Sequence, residues 1–287
     1  MDTLPRPGSS LYQALRCTPR AQRAPLRLWL CWWHEVSSIP LEVSDANVAE
    51  QKLRWWHEEV QRGLSGTAQH PLMRDYLAMP AMESPFSWPE PALWTQQLEG
   101  LIQLVHQTRW LDDAALQRHN RMTTGAAAEG AACILGACSM QARSVASLLG
   151  VGLRQSHQLA RLGLDARHGW VNVPINVLQT HDVKAHQLSK PDAEIAPPGW
   201  PLLQHHLIEQ ARASLEQGLE GAGKLSSAEF ASMLPLRILA HIHLAQLDAI
   251  SKMGHRILHE RVILTPLHKW WISQLVCWGW RGGRIQA

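Results

Sequence analysis

Histidine is the residue type that most readily suggests chemistry in this 287-residue sequence, which contains sixteen of them. The zinc-protease pattern HExxH is absent, because the His-Glu pairs that begin at His34, His57 and His259 are followed by other residues. His255 and His259 are four positions apart and could share a helix face, but no third ligand lies nearby in the sequence. We therefore expect no histidine-bound metal ion.

Neither the cysteines nor the common nucleotide and nucleophile motifs provide a catalytic signature. The cysteine count is odd and no CxxC pair occurs, which favours reduced thiols over a disulfide framework or a zinc ribbon. Walker, GxGxxG and GxSxG sequences are absent. Acidic residues occur at Asp112, Asp113 and Asp165, but none of them belongs to a DDxxD motif of the kind that holds Mg²⁺. The five cysteines are Cys17, Cys31, Cys133, Cys138 and Cys277.

The elements that would have to position any site are helices. The segment from Gln51 to Gln61 places Leu53, Trp56 and Val60 at spacings of three and four, which is the period of a helix face. Similar stripes recur along the chain, and the segment from Val145 to Leu164 is long and contains no proline. Ordinary helix lengths predict an all-α protein of about eight to ten helices without an internal repeat.

Proline and glycine mark the breaks between these helices. The segments Met79 to Pro91 and Lys190 to Pro201 contain four prolines each, which predicts loops. The segment Gly218 to Lys224 is rich in glycine, which predicts a turn. Such breaks are more often loops within one bundle than linkers, so we expect a single domain over residues 1–287.

Composition limits the class of protein. The net charge is +3 and the Lys and Arg residues are scattered, so we expect no nucleic-acid partner. No segment reaches the roughly 18 apolar residues of a membrane span, and residues 1–20 are an irregular lead-in without the apolar run of a secretory signal. Residues 272–287 form a C-terminal tail. These features predict a cytoplasmic protein.

Several strings, taken in order and spacing, resemble the bacterial squalene/phytoene synthase family, and within it the presqualene diphosphate synthase-like branch. The likeness extends from about Gly8 to about Trp271. It rests on the segments Pro7–Tyr12, Glu42–Asp45, Lys52–Val60, His70–Met73, Gln107–Leu111, Asp165–Pro174, Val183–His186 and Leu258–Lys269.

The resemblance implies a fold and a reaction. Members of this family are single all-α prenyl synthase bundles around a central cavity, and they join two prenyl diphosphates head to head. Two carboxylate-rich helix segments face each other across the cavity and coordinate Mg²⁺, which neutralises the departing diphosphate. The resemblance thus implies a transferase of prenyl groups in isoprenoid biosynthesis, with Mg²⁺ as its cofactor if this chain is active.

The first carboxylate motif of the family is lost here. The three positions that resemble its aspartates are Ser37, Ser38 and Leu41. Pro40 is expected to disturb the helix interior at this point. Glu42 survives beside the motif but is expected to point elsewhere on the helix.

The second carboxylate motif is reduced to a single acid. Its positions resemble His157, Arg161, Leu164 and Asp165, of which Asp165 alone keeps a metal-ligand type. Arg161 could bind a phosphate directly in a bidentate manner. It could equally form an ion pair with Asp165, four residues later on the same helix, and we favour this pair.

The resemblance also implies candidate substrate contacts. Ser10 and Tyr12 match an N-terminal flap of the family, and we expect them to contact a diphosphate together with Arg23 and Asp165. Two pocket tyrosines of the family are replaced. Their positions hold His119 and His243.

Three functions follow from these departures. The first is a catalytically silent family member that binds a prenyl diphosphate or isoprenoid lipid, or that partners an active paralogue or an assembly machinery, with no cofactor. The second is an active prenyltransferase with altered ligands. The third is a structural helical scaffold with a collapsed cavity.

The aromatic composition is unusual, with 14 Trp against 2 Tyr and 2 Phe. Trp32 and Trp110 occupy positions where the family usually has Phe or Tyr. Four of the tryptophans crowd the C-terminus beside Lys269 and Arg281, which suits peripheral contact with a bilayer surface. Packing of these rings on the bundle is the alternative, and we favour it. The four are Trp270, Trp271, Trp278 and Trp280.

Overall fold

The chain is all-helical in the computed structural model, which describes residues 5–80, 86–107, 109–192 and 194–279. Within these ranges there are fifteen α-helices and no strand, so the all-α prediction is confirmed and the expected number of helices was too low. The helices are α1 (Ser10–Arg16), α2 (Arg20–Glu42), α3 (Ala46–Leu64), α4 (Pro71–Ala78), α5 (Pro91–His106), α6 (Asp113–Asn120), α7 (Ala126–Leu135), α8 (Met140–Ala160), α9 (Leu162–Arg167), α10 (Ile175–Thr180), α11 (Ala185–Ser189), α12 (Trp200–Gly223), α13 (Ser227–Ser232), α14 (Leu234–Met253) and α15 (Pro266–Cys277).

The two chain ends are more regular than the sequence suggested. Residues 1–20 were expected to be irregular, yet α1 forms at Ser10 because the Ser9 side chain accepts a hydrogen bond from the backbone N–H of Tyr12 at 3.1 Å. A serine N-cap of this kind stabilises the first helical turn. At the other end, α15 continues to Cys277, so the tail expected from residue 272 is helical over its first six residues.

Proline and glycine do not break helices at two positions where breaks were expected. Pro40 lies within α2, close to its end, so the ring removes one hydrogen bond and the helix still reaches Glu42. The glycine-rich segment that begins at Gly218 is helical and belongs to α12. A Cβ on Gly218 would lie 2.5 Å from a methyl carbon of Leu149, so this glycine allows close packing of α12 on α8.

The core consists of two large apolar clusters. One lies mainly among α8, α12 and α14 and includes Leu149, Leu203 and Leu247. The other lies among α2, α3, α5 and α7 and is filled by tryptophan: the ring centroids of Trp29 and Trp94 are 4.7 Å apart at an interplanar angle of 84°. Edge-to-face contacts of this kind are favourable. Much of the tryptophan surplus is therefore core material.

A π-helical turn joins α6 to α7 just beyond His119, one of the two positions that resemble pocket tyrosines of the family. In this turn (Arg121–Gly125), the backbone N–H of Ala126 donates to the carbonyl of Arg121, five residues earlier. A Cβ on Gly150 would lie 2.5 Å from the carbonyl oxygen of Thr124, so α8 approaches this turn very closely. Inserted π turns are frequent at functional sites. This one packs directly against α8, the helix from which the candidate site is built.

Candidate functional site

The surviving acid of the second motif is paired with a cation. The guanidinium Nε of Arg161 donates to Oδ1 of Asp165 at 3.1 Å, which confirms the ion pair favoured from the sequence. Arg161 lies at the junction where α8 ends and α9 begins, and its carbonyl accepts from the N–H of Asp165 at 2.8 Å. The carboxylate at the position that resembles a metal ligand is therefore already paired with an arginine.

Arg154 and His157 line the same face of α8 one turn apart, and Arg161 follows one turn later. The His157 ring is in contact with solvent, yet desolvation lowers its pKa to about 3. The cations Arg154, Arg161 and Arg261 lower the same pKa further, so all three lie within electrostatic reach of this ring.

His243 of α14, and Arg261 in the segment that follows α14, lie within electrostatic reach of the same His157 ring. Burial, and then the charge of Lys269, lower the pKa of His243 to about 4, and its Nδ1 atom is buried without a hydrogen-bond partner. The pKa of Lys269 is itself lowered, first by burial and then by Arg261. Both histidines are thus neutral at pH 7, whereas arginine side chains in proteins keep their positive charge.

We call the side chains of Arg154, Arg161, Arg261 and Lys269 the cationic cluster. Asp165 is the acid within its reach: burial raises the pKa of this carboxyl, and Arg161, Arg154 and His168 oppose the rise. Positive charge therefore prevails at a position where the resemblance places acidic metal ligands. Arg154 was missed in the sequence, although its spacing of three and seven residues from His157 and Arg161 was a usable signal.

The first-motif positions are not joined to this cluster. The hydroxyls of Ser37 and Ser38 donate to the helix carbonyls of His34 and Glu35, and Leu41 is 55% exposed. No hydrogen bond or ion pair among the described residues links them to the second-motif positions.

A groove of about 230 Å³ between α2 and α3 lies beside Ser38. Glu35 and Glu42 line it together with Lys52 and Ser38. Glu42 was expected to point elsewhere on the helix. Instead it lines the same groove as Ser38, one of the three first-motif positions.

The candidate substrate contacts near the N-terminus lie in and beside α1. Ser10 begins this helix, and the Arg16 guanidinium lies 6.0 Å from the centre of the Tyr12 ring. Arg23 donates to the carbonyls of Thr18 and Arg16, each at 2.8 Å, and so braces the connection between α1 and α2. Their contact with a diphosphate stays a prediction.

One further bond ties this region to the cationic cluster. The Lys269 ammonium donates to the carbonyl of Gly8 at 3.4 Å, which brings the start of α15 against the turn before α1.

The two histidines that replace pocket tyrosines lie in different surroundings. His119 is buried and its ring lies 4.8 Å from that of Trp110. Burial lowers the pKa of His119 to about 3, so this ring is a neutral core group. His243 is half-buried and lies near the cationic cluster.

Among the described residues, no three His, Cys, Asp or Glu side chains lie close enough together to hold one metal ion. The His255 and His259 pair lies in and beside a short 3₁₀ turn, and His259 Nε2 lies 3.1 Å from the carbonyl of Asp192.

The sequence favoured packing of the C-terminal tryptophans on the bundle, but in the structure these side chains are only partly covered. Trp271 is 45% exposed and Trp278 is 70% exposed, and their rings meet edge to face at 6.2 Å. Trp270 is 36% exposed. Trp280 lies outside the described residues. No helix in the described ranges has the length and apolarity needed to cross a bilayer.

The protein has the all-α fold of isoprenoid synthases. A dehydrosqualene synthase solved in complex with a ligand superposes with a TM-score of 0.73 at 15% identity, over 93% of this chain and 90% of that one. Squalene synthase HpnC from Alicyclobacillus acidocaldarius gives a TM-score of 0.69 at 16% identity, over 85% and 88% of the two chains. YisP from Bacillus subtilis gives 0.61 at 17%, over 92% and 89%.

The sequence comparisons name the family. The squalene/phytoene synthase model matches residues 4–268, so the chain belongs to the squalene/phytoene synthase family, as its motifs predicted. A phytoene synthase from Thermus thermophilus is 27% identical over 172 residues. That match covers 58% of this chain and 58% of the relative's length.

Proposed function

We propose that this chain is a catalytically silent member of the squalene/phytoene synthase family that binds a prenyl diphosphate without Mg²⁺. The observation that favours it most is the bond between Arg161 and Asp165, which places a cation on the single surviving acid of the second motif. Because the matched relative is aligned over little more than half its length, its activity is not transferred to this chain.

The charge of the site argues against a metal cluster. Mg²⁺ needs several hard oxygen ligands in strict octahedral geometry. Asp165 offers one carboxylate, already shared with Arg161, and the first-motif positions offer two hydroxyls that donate to their own helix. A divalent cation brought beside the cationic cluster would also be repelled.

The same charge favours a polyanion. Guanidinium groups pair with phosphate oxygens through two parallel hydrogen bonds, and Lys binds phosphate as a point charge. Arg154 lies on α8 and Arg161 directly follows this helix, whereas Arg261 precedes α15 and Lys269 lies within it. A diphosphate between them would replace Asp165 as the partner of Arg161.

The test measures binding and turnover separately. Farnesyl diphosphate is titrated calorimetrically into the full chain with EDTA and then with Mg²⁺, with farnesol and inorganic diphosphate as comparison ligands. We expect farnesyl diphosphate to bind equally in both buffers and Mg²⁺ to release no diphosphate. Release that depends on Mg²⁺ would establish the active alternative, and no binding of farnesyl diphosphate would favour the scaffold.

The exposed face of α15 suggests where the protein works. We also propose that Trp270, Trp271 and Trp278 rest on a lipid bilayer surface, since exposed indole rings suit the interface and the proposed ligand has an apolar tail. A protein partner, whether an active paralogue or an assembly machinery, stays a prediction from the resemblance.

A further inference from the structure

Two cysteines from opposite ends of the chain meet. The Sγ atoms of Cys17 and Cys277 lie 3.2 Å apart, although 260 positions separate the residues. Cys17 is the C-cap of α1, and Cys277 is the last residue of α15. Both are free thiols in this structure, Cys17 half-buried and Cys277 exposed. The proposed isoprenoid site uses neither of them.

We propose that Cys17 and Cys277 are a reversible disulfide site that locks α1 onto α15 under oxidising conditions. A disulfide bond is about 2.0 Å long. The two sulfurs therefore need to approach by only about 1 Å.

The backbone around the pair is already held in place. Ala14 of α1 and Ile272 and Val276 of α15 belong to one buried apolar cluster, against which Cys17 packs. The Lys269 ammonium holds the Gly8 carbonyl at the other end of the same contact. Forming the bond therefore adds a covalent link to an interface that exists without it.

The reaction balances as a thiol–disulfide exchange with a small-molecule disulfide as oxidant. The exposed Cys277, as its thiolate, attacks one sulfur of the oxidant and releases the first small thiol. Cys17, as its thiolate, then attacks Sγ of Cys277, forms the protein disulfide and releases the second small thiol. The protein loses two electrons and two protons, and the oxidant is reduced to two thiols.

The surroundings of Cys17 favour this order of attack. Its pKa is raised to about 12, chiefly by burial and then by the hydrogen bond and charge of Cys277, so it is a poor first nucleophile. Once Cys277 is capped as a mixed disulfide, the charge of Cys277 no longer acts on Cys17. Arg16 and Arg23, which lower the same pKa, then favour the Cys17 thiolate.

The test equilibrates the full chain in glutathione buffers of increasing oxidised fraction and counts free thiols. We expect the count to fall from five to three, and non-reducing peptide mapping to find Cys17 joined to Cys277. Cys17→Ser and Cys277→Ser should each abolish this peptide. Cys31→Ser, at a half-buried thiol beside Arg27, should form it as the parent does.

Hydrogen exchange tests the locking itself. The oxidised chain should exchange the α1 amides more slowly than the reduced chain, and a thiol reductant should reverse the change. A chain that stays at five thiols, or that links other cysteines, would overturn the disulfide site. A Cys17–Cys277 bond that leaves α1 exchange unchanged would overturn the lock.

Discussion

The Arg161 guanidinium lies 3.1 Å from the Asp165 carboxylate. The charge of the remaining acid of the second motif is therefore balanced by an arginine four residues earlier in the chain. If a diphosphate replaces Asp165 on this arginine, Arg161→Gln should weaken farnesyl diphosphate binding about tenfold or more, because a hydrogen bond to a charged group contributes about 1.5–3 kcal/mol. Calorimetry in EDTA measures the change. Arg54→Gln, at an exposed pair with Glu50 on α3, should leave the affinity unchanged. Equal affinities of Arg161→Gln and the parent would contradict the assigned role.

The same substitution has a pH signature. Burial raises the pKa of Asp165 and Arg161 opposes that rise, so Arg161→Gln should raise this pKa further. An acid whose pKa is higher in the folded state stabilises the fold below its unfolded pKa, and this contribution disappears as pH rises through the folded value. Relative to the parent, Arg161→Gln should therefore lose stability as pH rises from acid toward neutral. Denaturation of Arg161→Gln and the Arg161→Gln/Asp165→Asn double variant should show that the asparagine removes this loss.

Acid should destabilise the fold through its neutral histidines. The pKa of His243 is lowered from 6.5 to about 4, so between these values the unfolded chain binds the proton that the folded chain refuses. Stability from this residue is therefore complete above pH 6.5 and falls as pH drops toward 4. His243→Asn should flatten the loss measured by urea denaturation at pH 7 and pH 5. His186→Asn, at an exposed position of α11, serves as the matched control, and an equal effect of both variants would reject this account.

Local spacing made part of this architecture predictable. The helical period gave the all-α fold, and the interval of four residues between Arg161 and Asp165 gave their ion pair, because both features depend on neighbours within one or two turns. The resemblance to the family predicted that the helices form one bundle, which no local pattern in the sequence indicates.

Features that depend on tertiary contacts were not predictable. Pro40 stays within α2 near the end of that helix, and the glycine at position 218 of α12 is required because Leu149 leaves no room for a side chain. The contact between Cys17 and Cys277 joins the two ends of the chain, so no spacing in the sequence signals it.

The tryptophan core should be intolerant of an added methyl group at one glycine. A Cβ on Gly130 of α7 would lie 2.4 Å from the Trp29 ring, whose Nε1 donates to the Ala127 carbonyl at 2.8 Å. Gly130→Ala should therefore cost about 1–3 kcal/mol of unfolding free energy, as overpacking does. Gly223→Ala is the control, because no atom lies within 4 Å of its Cβ position and alanine favours helix. Urea denaturation should show a loss for the first variant and none for the second; equal stability of the two variants would mean that the ring shifts freely.

The exposed tryptophans of α15 should decide membrane contact. Removing two indole rings that insert into the interface should weaken liposome binding about tenfold or more, since burying one large apolar side chain contributes about 1.5–3 kcal/mol. We expect the Trp271→Ala/Trp278→Ala double variant to stay in the supernatant of a sedimentation assay with anionic vesicles, whereas the parent pellets. Trp55→Ala removes a similarly exposed ring from α3 and should pellet like the parent. If all three proteins pellet equally, or none does, the lipid surface is not what contacts this face.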